Sequence, residues 1–99
     1  MSKFGELISA NVPVLFNFFT DWNEESTSMH PVLRDVAAAL GDDARIIKIN
    51  VDKNPELSDA LRIKGLPTLI IYKRGEMKWR QSGLQDSNAL ITLLKQYAS

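Results

Sequence analysis

Pro13-Val-Leu-Phe-Asn-Phe-Phe-Thr-Asp-Trp22 concentrates aliphatic and aromatic side chains with a single amide, Asn17, among them. Enrichment in β-branched and aromatic residues over Val14 to Thr20 predicts a strand buried on both faces, since neither face alternates to polar. Polar residues from Asp21 to Ser28 then leave the sheet. Val32, Leu33, Val36 and Leu40 recur at helical spacing, and Gly41 stops that stripe as a C-cap. If the helix begins near Asn23, Pro31 falls inside it and a kink is expected there. Upstream, Phe4, Leu7 and Ile8 predict a short helix from about Ser2 to Ala10.

Downstream, Arg45 to Val51 reads as a second strand, and Asn54-Pro55 opens a helix carrying Leu57, Ala60 and Leu61 that ends before Gly65. Thr68 to Tyr72 is a third strand, Arg74-Gly75-Glu76 a tight turn, and Met77 to Gln81 the returning arm of a hairpin. After Gly83, Ser87 or Asn88 is expected to cap a last helix with Leu90, Ile91, Leu94 and Tyr97 on its apolar side. The order α-β-α-β-α-β-β-α predicts an α/β domain. Strands joined through helices should run parallel, and the last two should form an antiparallel hairpin.

The chain has 99 residues, enough for one core, so a single domain over 1–99 is expected. Acidic and basic residues balance at 12 each, which gives no electrostatic footprint for nucleic acid or an anionic membrane. The apolar run Val12 to Phe19, broken by Pro13 and Asn17, is too short to span a bilayer. The first residues show no secretory pattern, and a cytoplasmic protein is expected. There is no cysteine, which excludes disulfides, cysteine-ligated metals and thiol–disulfide exchange by the chain's own side chains.

Several segments together resemble the thioredoxin family. They are Pro13 to Trp22, Pro31-Val-Leu, Lys48-Ile-Asn-Val-Asp-Lys-Asn-Pro55, Gly65-Leu-Pro-Thr-Leu-Ile-Ile-Tyr-Lys-Arg-Gly-Glu76, and Gly83. The agreement spans almost the whole chain. It implies a thioredoxin fold, with a mixed four-stranded sheet, helices on both faces and the family's first strand absent. The resemblance also implies that Pro67 is the family's cis-proline, which opens the backbone of the preceding residue, here Leu66, to an extended peptide. Trp22, Leu66, Pro67, Gly83 and Leu84 would then line a peptide-binding groove.

Departures from the family fall where its chemistry should be. Trp22 is followed by Asn23-Glu24-Glu25-Ser26 where the family has Cys-Gly-Pro-Cys. The family's buried proton-carrying aspartate is here Asn17, while its lysine partner is kept as Lys48. Asn17 has no carboxyl to titrate, so Lys48 loses its expected ion-pair partner and a buried amide must find its own hydrogen bonds.

The remaining polar residues have plainer readings beside sharper ones. Asn23 or Asp21 can cap a helix whose first turn holds Glu24 and Glu25; alternatively, these acids form a rim that selects a basic or polar partner. Ser26 and His30 lie four apart, which suggests a hydrolytic pair, but no oxyanion-hole motif or orienting acid accompanies them. Asp21, Glu24, Glu25 and His30 match no recognised metal-site spacing. Trp22 reads equally as a groove residue and as a cap on the core. Trp79 lies opposite Lys78 and Arg80 on the hairpin, where the basic pair suits a solvated edge. Ala37, Ala38 and Ala39 suit a close-packing helix face.

The expectation is a redox-inactive, thioredoxin-like monomer that binds a partner protein or extended peptide, with no cofactor and no metal. The alternatives are the family's disulfide oxidoreductase activity and glutathione-dependent chemistry in which Ser26 activates the ligand's thiol.

Overall fold

The computed structural model describes residues 3–98. Its elements are α1 (Lys3–Ile8), β1 (Val14–Phe19), α2 (Glu24–Thr27), α3 (Met29–Leu40), β2 (Arg45–Asn50), α4 (Pro55–Ala60), β3 (Thr68–Lys73), β4 (Glu76–Ser82) and α5 (Ser87–Ala98). The expected start of the first helix at Ser2 lies outside the described residues.

The four strands form one mixed sheet in the order β2-β1-β3-β4. β1 and β2 are parallel, with Val14 beside Arg45 and Phe19 beside Asn50. β3 runs antiparallel to β1, and β4 antiparallel to β3. The expectation that helix-linked strands run parallel therefore holds for β1 and β2 and fails for β3. Helix length explains the difference. A six-residue strand spans about 20 Å, and the twelve-residue α3 climbs about 18 Å, enough to carry the chain back along it. The six-residue α4 climbs only about 9 Å, so β3 starts at the end where β2 finished.

In place of one kinked helix there are two, α2 and α3, divided at Ser28. Pro31 has no N–H to give the Thr27 carbonyl and its ring crowds that oxygen, so the break falls one turn before the proline.

Alternation along β1 sends Leu15 to one face and Val14, Phe16 and Phe18 to the other. On the first face Leu15, Leu69 and Ile71 meet Leu33, Val36 and Leu40 of α3 and Leu90 and Leu94 of α5. On the second, Phe16, Phe18, Ile70 and Tyr72 meet Phe4 and Leu7 of α1 and Leu57 of α4, with Leu61 just past its end. Phe4 stands edge-on to Tyr72 at 5.5 Å between ring centroids. The hairpin turn holds α1 in place, because the N–H groups of Arg74 and Gly75 donate to the carbonyls of Ala10 and Ile8.

Three local expectations change. Ala37, Ala38 and Ala39 are exposed, since α3 turns Leu33, Val36 and Leu40 inward instead. Arg80 is not a solvated edge residue: it donates to the carbonyls of Leu61 and Arg62 at 2.6 and 2.9 Å, satisfying groups just past α4. Trp79, on the other side of β4, packs against the α3/α5 core. The cap of α5 is Asp86, whose carboxylate accepts from the Ala89 N–H at 3.2 Å, one residue before the expected Ser87.

No helix among the described residues is long and apolar enough to cross a membrane.

Candidate functional site

The strand directions bring four connections to one end of the sheet. β1 and β2 finish there, β3 starts there and β4 finishes there, so residues 20–23, 51–54, 64–67 and 83–86 converge.

Trp22 lies in the first connection and is 76% exposed, which removes the reading of it as a core cap. Its indole Nε1 donates to the Asp52 carboxylate at 3.0 Å, and the Thr20 hydroxyl donates to the same carboxylate oxygen. Asp52 is held in turn by its own backbone N–H, which donates to Asn50 Oδ1 at 2.9 Å. Asn50 Nδ2 reaches across to the Asp21 carboxylate at 3.1 Å. A chain of side chains thus ties the loop after β1 to the loop after β2 and fixes an exposed tryptophan. Thr20, Asn50 and Asp52 did not stand out in the sequence. The available signal was Asn50 two residues before Asp52 at a strand end, the pattern of an Asx turn.

The next residues carry structural roles. Asn23 caps α2, its Oδ1 accepting from the Ser26 N–H at 2.9 Å. Ser26 is fully buried, and its Oγ accepts from the Thr20 N–H at 3.0 Å. Ser26 and His30 do not share one continuous helix, because the break at Ser28 separates them. His30 instead stands edge-on to Phe19 at 4.9 Å. Burial, then the nearby charge of Lys48, hold its pKa below the ordinary 6.5, with Asp21 acting in the opposite sense. No group of three potential metal-ligating side chains is present among the described residues.

Beneath this layer, Asn17 is completely buried on β1, in register with Lys48 on β2 and Leu69 on β3. Neither polar atom of its amide has a hydrogen-bond partner among the described residues. Lys48 is exposed.

At the same end, just before β3, the Leu66–Pro67 peptide bond is cis. Pro67 is buried and Leu66 is half-buried against the α1/α4 core. The Pro67 carbonyl accepts from the Gly83 N–H at 2.8 Å. Gly83 has φ +94, a conformation that L side chains rarely adopt. Leu84 follows and is 56% exposed. Trp22 and Leu84 thus place two large exposed apolar side chains at this end of the sheet.

Comparison with known proteins agrees with this geometry. The thioredoxin family model matches residues 1–96. The chain belongs to the thioredoxin family. A thioredoxin of Rickettsia bellii is 30% identical over 86 residues, covering 87% of this chain and 82% of that one. A thioredoxin-like protein of Synechocystis is 32% identical over 95 residues, covering 95% and 90%. Among solved structures, a mutant thioredoxin from Halobacterium salinarum superposes with a TM-score of 0.89 at 33% identity, covering all of this chain and 86% of that one. These relatives are named thioredoxins or thioredoxin-like; this chain shares their fold and has no cysteine. Chloroplastic thioredoxin Y of rice is also similar, at 35% identity, so family membership does not assign a compartment.

Proposed function

We propose that this thioredoxin-family chain is a redox-inactive binding module that takes an extended peptide or partner segment at the end of the sheet carrying Trp22, Leu66, Pro67, Gly83 and Leu84. The carrying observation is that Trp22 stays 76% exposed while its indole is fixed by Asp52. An aromatic held in a defined position in solvent loses little conformational freedom when a partner covers it. Leu84 supplies a second apolar contact. Chemistry has no comparable support. With no cysteine, the family's dithiol cycle has no electron carrier in this chain. The Ser26 hydroxyl is buried and engaged with the Thr20 backbone, which favours packing over activation of a bound thiol.

The test pairs two measurements. Dithiothreitol-driven insulin reduction should proceed at the uncatalysed rate; turnover would sink the redox-inactive reading. Peptides selected from a display library against the wild-type protein should lose about 30-fold or more in affinity for Trp22→Ala and for Leu84→Ser, as expected for loss of a central apolar anchor. Selected peptides that bind both variants unchanged would move the site elsewhere.

A further inference from the structure

β2 is an edge strand: it pairs with β1 and with nothing on its other side among the described residues. In a parallel pair, alternate residues turn both N–H and C=O to the same side. Arg45 and Val51 donate inward to the carbonyls of Pro13 and Phe19, so Ile47 and Ile49 also face β1. Ile46, Lys48 and Asn50 therefore turn their backbone groups outward. The Asn50 carbonyl already accepts from Asn54 Nδ2 at 2.9 Å. Ile46 and Lys48 are left as an open donor–acceptor pair.

Both faces of this edge are hollow. On one, a groove of about 540 Å³ is lined by Phe4, Leu7, Ile47, Ile49 and Leu57. On the other, one of about 170 Å³ is lined by His30, Leu33, Ala37 and Ile46. A strand added beside β2 would send successive side chains into these two grooves in turn.

Charge selects the occupant. Arg45 and Lys48 lie on β2, Arg34 lines the smaller groove and Lys3 the larger, against Glu56 in the larger groove's lining and Asp21 near His30. Asp42 and Asp43 precede the strand, beyond its start. No side-chain hydrogen bond or ion pair with other described residues engages Arg34, Arg45 or Lys48. A second copy paired antiparallel about Lys48 would face Lys48 with Lys48; shifted by one residue, it would still bring two basic edges together. We propose that the β2 edge is a strand-addition site for an extended segment of another protein that alternates apolar and acidic residues. Its backbone pairs with Ile46 and Lys48, its apolar side chains enter the larger groove, and its carboxylates lie beside Lys48 and Arg34. This surface is separate from the Trp22 end.

The probe is a capped eight-residue peptide alternating valine and glutamate, with a valine–lysine peptide as control. Amide hydrogen exchange followed by NMR should slow about tenfold or more at Ile46 and Lys48 with the acidic peptide and not with the basic one. Trp22 fluorescence should stay unchanged. Lys48→Glu, an exposed substitution, should abolish the preference for the acidic peptide. Ile46→Pro removes the outward N–H without touching the bonds to β1 and should abolish protection; if that variant does not fold, Lys48→Glu still decides. Absence of protection, equal protection by both peptides, a Trp22 response, or protection that grows with protein concentration without peptide would each overturn the proposal. The last outcome would assign the edge to a second copy.

Discussion

Replacing Asn17 by valine should stabilise the protein. The amide is fully buried and neither polar atom is paired, so it was desolvated without compensation. Such a group costs about 1–3 kcal/mol relative to an apolar side chain of similar shape. Valine has one non-hydrogen atom fewer, and the small void it leaves costs up to about 1 kcal/mol. Its β-branch suits a central strand. The net expectation is a gain of about 1–2 kcal/mol, which for a domain of this size raises Tm by about 5–15 °C. Calorimetry measures the shift, and urea unfolding should move to a higher midpoint with an unchanged slope. A valine variant equal to or less stable than the wild type would refute the reasoning. It would show that the amide is satisfied in solution, for example by a buried water.

Two further outcomes follow from the same end of the molecule. His30 has its pKa lowered, first by burial and then by Lys48. Above pH 6.5 the imidazole is neutral in both folded and unfolded chains and costs nothing. As pH falls below 6.5 the unfolded chain takes up the proton first, so stability drops until the folded His30 is protonated as well. His30→Gln should lessen that acid-side loss in thermal unfolding, and Lys48→Gln should raise the His30 pKa in an NMR titration; a His30 titrating at or above 6.5 in the wild type would contradict both. Asp52→Ala removes the acceptor shared by Trp22 and Thr20, and should lower Trp22 fluorescence anisotropy while costing only about 0.5–1.5 kcal/mol in stability, because the indole bond is exposed. Unchanged anisotropy would mean that Asp52 does not hold the ring.

Element identity was legible where periodicity was strong. Val14 to Phe19 and Thr68 to Lys73 are apolar on both faces because helices cover both sides of the sheet, and that pattern shows directly in sequence. The direction of β3 was not legible, because it depends on how far α4 climbs, and Asn54-Pro55 marks where a helix starts but not how long it runs. The break at Ser28 was foreshadowed by Pro31, but a proline acts on the carbonyl one turn earlier, so the disruption lies upstream of its cause. Arg80 was misjudged because alternation gives the face of a strand residue and not what waits on that face. Two unpaired carbonyls past α4 are invisible until the fold is closed. The same holds for Asp52, whose partners lie 30 and 32 residues away in sequence. A hydrogen bond of that range leaves no local pattern.

The polar residues Asn17, Asn23 and Ser26 differ in what their side chains hold. Asn23 caps α2, and Ser26 is a buried acceptor for the Thr20 N–H. Each gives a backbone donor at this end of the sheet a partner, and each donor belongs to the loop or helix that carries Trp22. Asn17 gives nothing comparable, since its amide is unpaired beneath them. Ser26 and Asn23 thus hold the backbone on either side of Trp22, at the Thr20 and Ser26 N–H groups, while Asp52 holds its ring. Rigidity around an exposed aromatic has no value to the core, which Trp22 does not enter. It has value at a contact, where a side chain already in position contributes its apolar surface without the entropic cost of ordering it.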